Sequence, residues 1–376
     1  MSNRSSMNRR SQWDVSRFVS TLNTFGEIPF LGSFRWLQQL LGQSPTFKGR
    51  AVDTSQRRAL LVDSQAIATN VLTQQQQRQP NVVWSATSWQ GLLDKCVEAR
   101  LDLLRSLDTL VLLDLPTDEE SDLSFLKVLS SADLTVPVFN FSNQASSAQS
   151  EETHGDSSTD VVSAWGSLDD VVMGGVSEGR LLLVDEHQPT QHALFAGQVS
   201  TDNSGGFSSV RTRNFEPPFS FSGAKGMRLR VRGDGQRYKF ILRNSPGWDS
   251  PAYIYSFDTT PQQWVTVHVP FAEMVPTFRA KSLSDAPPFD AEKVFSCQLM
   301  LSKFEYDRQL NPAFKAGPFE LAIECIDAYR PRQGKPLLGI RADDEMQRRR
   351  QQEMLAAAQV DIDWIEAEGI AAAMAG

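Results

Sequence analysis

The sequence of 376 residues has few cysteines, few histidines and no long apolar run. Its three cysteines, Cys96, Cys297 and Cys325, form no CxxC pair and are too few for a disulfide framework, so we expect a reducing compartment. No run of about eighteen apolar residues occurs, and we therefore expect no transmembrane helix. The four histidines form neither an HxxxH pair nor a cluster with cysteine, so the sequence offers no transition-metal site.

Sequence signatures of catalysis and of cofactor binding are also missing. No Gly-x-Gly-x-x-Gly follows any β-prone run, and a dinucleotide site needs those glycines so that the pyrophosphate can reach a helix N-terminus. Ser177 and Ser208 lack the Gly-x-Ser-x-Gly context of a hydrolase nucleophile. We therefore predict no catalytic residues, no cofactor and no metal ligands.

The charge balance is acidic, with 37 basic and 45 acidic side chains and a net charge of −8. A net negative charge repels the phosphates of nucleic acids. We therefore expect no DNA partner, and an RNA partner is disfavoured as well. The hydrophobic fraction of 40% and the charged fraction of 22% are ordinary for a soluble globular protein. The length allows two domains, or one domain with long flanks.

The first residues carry serine and arginine but no acid before Asp14. This composition is typical of a disordered tail, which we assign to residues 1–12, and equally of a short mitochondrial presequence. Residues 13–42 place aromatic and aliphatic side chains at helical spacing, interrupted near Gly26 and Pro29, which predicts two short helices. These helices either pack on the body of the protein or lie on a membrane or a membrane-protein partner.

Residues 50–142 combine β-prone runs with a helical stretch, and Arg58–Val62 and Thr109–Asp114 are clear strand candidates. Strand, helix, strand order favours parallel βαβ pairing, so we predict a degenerate α/β region. Residues 143–160 contain almost nothing apolar, which predicts a linker. Residues 331–376 predict a C-terminal helical tail. Whether this tail and residues 50–142 form one split domain is left open by the sequence.

Residues 161–330 show short β-prone runs separated by turn signals, which predicts a two-sheet β-sandwich of jelly-roll type. Met227, Leu229 and Val231 alternate with arginines, as expected for a strand with one buried face. Gly233-Asp-Gly235 predicts a hairpin turn. The predicted strands are Arg180–Val184, Ala193–Val199, Gly206–Arg213, Gly226–Arg232, Tyr238–Asn244, Ala252–Phe257, Trp264–Pro270, Phe295–Leu301 and Phe319–Tyr329.

Two glycine-rich motifs lie in this region. The first is Trp165-Gly-Ser-Leu-Asp-Asp-Val-Val-Met-Gly-Gly-Val-Ser177, and the second is Asp202-Asn-Ser-Gly-Gly-Phe-Ser-Ser-Val-Arg211. Glycine pairs permit positive φ and close backbone approach, so each motif predicts a tight, shaped loop between strands. Asp169 and Asp170 suit acceptance of backbone N–H groups within such a loop; the alternative is contact with a ligand or with Ca²⁺.

The two motifs resemble those of the complex I intermediate-associated protein 30 family, in which Trp…Asp-Asp-x-Val-Met-Gly-Gly-x-Ser is followed by Asn-x-Gly-Gly-Phe-x-Ser-x-Arg. The resemblance covers about residues 161–330 and implies a galactose-binding-like β-sandwich. It also implies a non-catalytic assembly or chaperone factor whose partners are protein subunits of a membrane-bound electron-transfer complex, either respiratory complex I of the NADH dehydrogenase type or a photosystem. In photosynthetic-lineage members the domain is inserted into a short-chain-dehydrogenase-like fold, which the regions around it here resemble in degenerate form.

The resemblance implies a cytoplasmic protein or one peripheral to the inner or thylakoid membrane, with the mitochondrial matrix as the alternative; residues 13–42 would make the membrane contact. Two other functions stay open: a carbohydrate-binding module and a degenerate short-chain-dehydrogenase-like reductase. The motif positions, together with a loop tryptophan of the type common in binding hot spots, are the candidate binding residues. They are Trp165, Asp169, Asp170, Met173, Gly174, Gly175, Ser177, Asn203, Gly205, Gly206, Phe207, Arg211 and Trp248.

Overall fold

Strands dominate the described part of the chain and form sandwich sheets and a separate parallel sheet. The described residues fall into two units, one within 1–52, 138–221 and 226–327, the other within 53–137, 222–225 and 328–376. The computed structural model describes residues 24–25, 27–28, 32–33, 46–49, 52, 54–55, 57–62, 76–77, 81–95, 97–112, 115, 123–130, 133–142, 158–184, 191–247, 250–332, 337–340, 345–357 and 363–366.

The strands and helices are numbered in chain order. The strands are β1 (Glu27–Ile28), β2 (Gly32–Ser33), β3 (Thr46–Phe47), β4 (Arg57–Val62), β5 (Val82–Thr87), β6 (Thr109–Leu112), β7 (Asp133–Asn140), β8 (Trp165–Ser167), β9 (Glu178–Val184), β10 (His192–Val199), β11 (Phe207–Thr212), β12 (Asn214–Phe215), β13 (Gly226–Gly233), β14 (Arg237–Arg243), β15 (Ala252–Asp258), β16 (Trp264–Pro270), β17 (Val275–Phe278), β18 (Lys281–Ser282), β19 (Ser296–Ser302), β20 (Gly317–Pro331), β21 (Leu337–Ile340) and β22 (Asp363–Glu366). The α-helices are α1 (Trp89–Leu93), α2 (Val97–Arg105), α3 (Ser158–Ser163) and α4 (Glu345–Ala357), and 3₁₀ helices span Ser124–Ser130, Asp170–Met173, Asp202–Ser204 and Phe271–Glu273.

The first unit is a β-sandwich of two sheets, which confirms the predicted fold class. One sheet has the order β16-β13-β20-β10-β9, with β7 also paired to β20. The other, the seven-stranded sheet, has the order β18-β17-β15-β14-β19-β11-β8, and it carries both glycine-rich motifs at its β8–β11 end. Each strand predicted within residues 161–330 is found with its ends within two residues of the prediction.

Period-2 alternation builds the core between the two sheets. Met227, Leu229 and Val231 of β13 are fully buried, as predicted, and burial of each such side chain stabilises the fold by about 1.5–3 kcal/mol. The inward positions of β14 are also fully buried, and the Tyr238 hydroxyl donates a hydrogen bond to the Glu320 carbonyl of the opposite sheet at 3.1 Å. The alternate positions of β14 therefore face away from this core.

The segment Gly233-Asp-Gly235 turns the chain, but the predicted hairpin is wrong. It connects β13 to β14, and these strands belong to different sheets. The Asp234 carboxylate accepts hydrogen bonds from the backbone N–H groups of Gln236 at 3.1 Å and Glu320 at 3.2 Å, which stabilises a crossover. The local residues specify that the chain turns. The strand with which β14 pairs depends instead on which strand faces are buried in the sandwich.

The predicted helical segment at residues 13–42 is described only in part. Glu27–Ile28 and Gly32–Ser33 pair as two antiparallel strands; the first lies in the predicted break between the two helices, and the second lies where a helix was predicted. Pro29, which lies between them, has no N–H to continue a helix. Thr24 and Phe25 are helical. The remainder of this segment, the predicted tail at residues 1–12 and most of the predicted linker at 143–160 lie outside the described residues.

The second unit contains a parallel sheet with the order β22-β21-β6-β4-β5. The parallel pairing of β4 with β5 and with β6 confirms the βαβ prediction. Strands β21 and β22, from the region predicted as a helical tail, extend the same sheet in parallel. Leu355 of α4 packs in the same apolar cluster as Leu60 and Leu112, so both flanks of the sandwich contribute to one core.

Within the part of the chain that the structure describes, no helix is long and apolar enough to cross a membrane.

Candidate functional site

A buried carboxylate joins the two glycine-rich motifs. Asp170 is fully buried, and its Oδ1 accepts a hydrogen bond from the Ser177 N–H at 2.9 Å. Its Oδ2 accepts hydrogen bonds from the Ser177 hydroxyl at 2.7 Å, from the Gly206 N–H at 2.7 Å and from the Phe207 N–H at 3.3 Å. Hydrogen bonds to a charged acceptor are stronger than neutral ones. Asp170 thus holds the second motif against the first.

Asp169 makes a second set of hydrogen bonds from the same loop. Its Oδ1 accepts hydrogen bonds from the Ser208 hydroxyl at 2.7 Å and the Ser209 N–H at 3.2 Å. Its Oδ2 accepts one from the Gly179 N–H at 3.2 Å. The two neighbouring aspartates therefore connect β9 and β11 through a single loop, and they do so by accepting mainly backbone N–H groups.

The glycines are needed because the Asp170 carboxylate occupies the space that a side chain would take. A Cβ added at Gly175 would lie 2.3 Å from Asp170 Oδ1, and one added at Gly205 would lie 2.5 Å from Asp170 Oδ2. Gly174 has φ 91° and Gly206 has φ 141°, values that favour glycine. Both glycine pairs thus serve the close approach of two loops to one carboxylate.

Several of the predicted binding residues lie inside the sandwich unit rather than at its surface. Trp165 is buried, as are Asp169, Asp170 and Ser177. Arg211 is also buried; its Nε donates a hydrogen bond to the Ser296 hydroxyl at 3.2 Å. These contacts are internal, and a binding role for the five residues stays a prediction.

The remaining predicted positions differ in accessibility. Asn203 is exposed in a left-handed conformation with φ 53°. Gly205, Gly206 and Phe207, all from the second motif, line a cavity. Trp248 lies outside the described residues, as does the side chain of Met173.

This cavity, of about 510 Å³, lies on the face of the seven-stranded sheet that points away from the sandwich core. Most of its lining residues were not singled out from the sequence. The lining consists of Leu168, Ser204, Gly205, Gly206, Phe207, Lys239, Ile241, Arg243, Ser250, Ala252, Ile254, Thr277, Phe278, Arg279, Ala280, Gln298, Met300, Ser302, Phe304 and Glu305.

The floor of the cavity follows from strand register. Ile241 of β14 lies between Gln298 of β19 and Ile254 of β15. One step along the strands, Lys239 lies next to Met300. The sequence indicates this floor through the cations Lys239 and Arg243 of β14, which lie on the same face as Ile241 and interrupt an otherwise apolar strand.

Lys239 is a buried cation at one end of this floor, with only 3% of its surface exposed. Its Nζ donates hydrogen bonds to the carbonyl oxygens of Phe304 at 2.5 Å and Glu305 at 2.6 Å. Burial lowers the pKa of Lys239 to about 8; the Glu305 carboxylate opposes this shift and the Arg237 guanidinium adds to it. Lys239 therefore fixes the loop after β19, which forms one wall.

Arg243 lies at the other end of the floor. Burial lowers the pKa of its guanidinium to about 10, and its Nη1 donates a hydrogen bond to the Ser250 carbonyl at 3.4 Å. Arg279 contributes a third cation from the turn between β17 and β18. Because Glu305 is the one carboxylate in the lining, the cavity is positively charged in a chain whose net charge is −8.

The described residues contain no group of three or more His, Cys, Asp or Glu side chains that could hold a metal ion. The two cysteines among them are not activated. Burial raises the pKa of the Cys297 thiol and also that of Cys325. A thiol with a raised pKa is a poor nucleophile.

Comparison with known proteins places the sandwich in a family context. Residues 154–323 match the model of the complex I intermediate-associated protein 30 family. An uncharacterized protein of Schizosaccharomyces pombe is 27% identical over 173 residues, which cover 43% of this chain and 76% of that protein. Among solved structures, similarity is found to a family 11 carbohydrate-binding module of a cellulosomal cellulase of Clostridium thermocellum, with a TM-score of 0.33, 15% identity and coverage of 48% of this chain and 91% of that one. An agarase is similar with a TM-score of 0.31, 9% identity and coverage of 53% and 25%.

Proposed function

Because residues 154–323 form a domain of the complex I intermediate-associated protein 30 family, we propose that this chain is a non-catalytic assembly factor that holds a protein subunit of a membrane-bound electron-transfer complex. The observation that carries the proposal is the family match, which includes both glycine-rich motifs. Respiratory complex I of the NADH dehydrogenase type is the first client to consider, and a photosystem is the second.

The geometry supports binding rather than chemistry. The carboxylate oxygens of Asp169 and Asp170 accept hydrogen bonds from other described residues of the sandwich. Neither carboxylate is therefore placed to act as a general acid or base. What they produce is a fixed loop of glycines and Phe207 at the edge of a cavity. A rim held by several hydrogen bonds is suited to recognition.

We place the client contact at the loop that follows β19. Phe304 is 42% exposed and Leu310 is 66% exposed, and the two residues form a bridge across this loop. Phe304 also lines the cavity. Exposed apolar side chains beside a concave surface mark protein interaction sites. The client subunit would cover this loop while it awaits its partners.

The proposed place of action is the cytoplasm or the surface of the inner or thylakoid membrane, with the mitochondrial matrix as the alternative. Within residues 13–42, the aromatic and aliphatic side chains of the sequence are the proposed membrane contact.

The test is a pull-down of the tagged chain from detergent-solubilised membranes of its own organism, with captured proteins identified by mass spectrometry. Leu310→Glu is compared with Leu182→Glu, a matched change at a residue that is 40% exposed on β9 of the other sheet. Both side chains are exposed, so both variants are expected to fold. Subunits of an electron-transfer complex should be recovered with the unchanged chain and with Leu182→Glu, but not with Leu310→Glu.

Two outcomes would contradict this proposal in different ways. Failure of the unchanged chain to capture any such subunit would refute the assembly function. Equal capture by Leu310→Glu and Leu182→Glu would leave the function standing and show that the client binds elsewhere.

A further inference from the structure

The cavity on the seven-stranded sheet has an apolar floor between two cations. Lys239 and Arg243 are four residues apart on β14, which at about 3.3 Å per residue separates them by roughly 13 Å. Ile241 lies midway between them, with Ile254 beside it and Met300 beside Lys239. The floor is therefore largely aliphatic and thioether surface, with the Gln298 amide beside Ile241 and a positive charge at each end.

The two cations have different roles. The Lys239 ammonium donates to two carbonyl oxygens of the loop after β19, so it is engaged in holding that wall. Arg243 lines the cavity and donates a hydrogen bond to the Ser250 carbonyl through Nη1; a guanidinium has further N–H groups, in a fork geometry that matches a carboxylate. Burial disfavours the charged form of this guanidinium, so a carboxylate beside it would stabilise that charge.

We propose that this cavity binds an elongated apolar carboxylate, of the straight-chain fatty acid class. The carboxylate pairs with the guanidinium of Arg243, and the hydrocarbon chain lies over Ile241, Ile254 and Met300 toward Phe304. The volume of about 510 Å³ falls within the range of about 300–1,000 Å³ that small-molecule sites occupy.

The aliphatic floor argues against a sugar as the occupant. A sugar presents hydroxyl groups on most of its surface, and each one buried without a partner is costly. Ile241, Ile254 and Met300 offer no strong donor or acceptor to such groups, so hydroxyl groups lying over them would have only the neighbouring Gln298 amide as a partner. A hydrocarbon chain needs no hydrogen-bond partner, and its burial against the same surface is favourable in free energy.

The inference stands apart from the assembly role, because it is tested on the purified full chain with no partner present. Titration calorimetry compares decanoate, decanol and decyltrimethylammonium, which share a hydrocarbon chain and differ in the charge of the head group. Decanoate should bind more tightly than decanol and much more tightly than the ammonium. Arg243→Met should lower the decanoate affinity by about tenfold to a hundredfold, since a charge-assisted pair is lost, and should leave decanol within about twofold.

Two further variants make the result specific. Arg180→Met removes an exposed cation on β9 of the other sheet and should leave all three affinities unchanged. Ile254→Asn puts an amide on the floor and should weaken decanoate and decanol alike. If Arg243→Met unfolds the chain, Arg243→Lys replaces it: that change keeps the charge, removes the paired geometry and should still weaken decanoate relative to decanol. Absence of decanoate binding to the unchanged chain, or equal decanoate binding after the Arg243 substitutions, would overturn the proposal.

Discussion

The carboxylate of Asp170 accepts hydrogen bonds from both the backbone N–H and the hydroxyl of Ser177, at 2.9 and 2.7 Å. The Ser177 hydroxyl oxygen also accepts the N–H of Ser200 at 3.0 Å, and Asp170 reaches the N–H of Gly206 at 2.7 Å. One buried side chain therefore joins the end of the first motif to the start of the second. The rim of the cavity depends on this connection, because Gly206 belongs to it.

Replacement of Asp170 by Asn should destabilise the sandwich unit. Asparagine has nearly the same volume, but its amide loses the charge and presents an NH₂ group to donors that need an acceptor. We expect a loss of about 3 kcal/mol in the free energy of unfolding, measured by urea denaturation. Asp202→Asn, an exposed change in the second motif, is the control and should shift stability by less than about 0.5 kcal/mol. Equal stability of the two variants would show that the connection is not needed.

The sandwich could be predicted from the sequence because its signal is local and periodic. A strand with one buried face must alternate, and Met227, Leu229 and Val231 do so between arginines. Acceptance of backbone N–H groups by Asp169 and Asp170 could be predicted in part for the same reason, since Gly175, which makes room for the Asp170 carboxylate, is close in sequence. Gly205, which also makes room for it, lies in the second motif.

The cavity could not be predicted, because its lining is assembled by strand register. Leu168, Lys239 and Phe304 lie far apart in the chain and meet only once the strand order of the seven-stranded sheet is known. The mistaken hairpin at Gly233-Asp-Gly235 has the same origin: local residues specify a turn, but not the sheet that the next strand joins.

Addition of a methyl group at Gly175 should lower the free energy of unfolding much more than the same addition at a glycine of this unit with open space around it. Gly175→Ala would place a Cβ 2.3 Å from Asp170 Oδ1, and the carboxylate cannot retreat without giving up its hydrogen bonds. We expect a loss of about 2 kcal/mol or more in the free energy of unfolding, from overpacking and from lost bonds. Gly247→Ala is the matched control: nothing lies within 4 Å of its added Cβ, and stability should hold. Similar urea midpoints for the two variants would contradict this prediction.

Lys239 should give the sandwich a stability that rises with pH in the alkaline range. Burial depresses its pKa from 10.5 to about 8 in the folded state. Between these values the unfolded chain holds a proton that the folded chain has released, so the free energy of unfolding increases as pH rises. Below pH 8 the full cost of the buried charge, up to about 3 kcal/mol, is present. Burial causes this lowering of the pKa of Lys239; the Glu305 carboxylate opposes it and the Arg237 guanidinium adds to it.

The check is urea unfolding of the unchanged chain and of Lys239→Met from pH about 8 to about 10. The methionine variant loses two hydrogen bonds at every pH, so the slope of stability against pH, and not its level, is the readout. A flatter slope in Lys239→Met is expected, with Lys281→Met as the control for removal of an exposed positive charge. Parallel slopes for the unchanged chain and Lys239→Met would rule out Lys239 as the source.

In the second unit, a buried ion pair joins two of the three sequence segments. Asp108 Oδ2 accepts hydrogen bonds from Arg330 Nη2 at 2.7 Å and from the Arg58 N–H at 3.0 Å, and Arg330 Nε donates to the Thr54 carbonyl at 2.5 Å. Asp108→Ala would leave the guanidinium buried without its carboxylate, which costs about 3–5 kcal/mol. Hydrogen exchange of the β4 and β6 amides should accelerate accordingly.

Removal of both charges tests whether this cost is electrostatic. Asp108→Ala combined with Arg330→Met leaves no buried charge behind, so the double variant should be less destabilised than the sum of the single changes. Glu353→Ala breaks the exposed Arg349–Glu353 pair on α4 and should leave exchange unchanged, since surface pairs contribute little. Additive effects of the two substitutions would mean that Asp108 acts through the Arg58 N–H alone. Coupling between them would instead show that residues from both flanks of the sandwich stabilise one parallel sheet as a unit, because each member of the pair comes from a different flank.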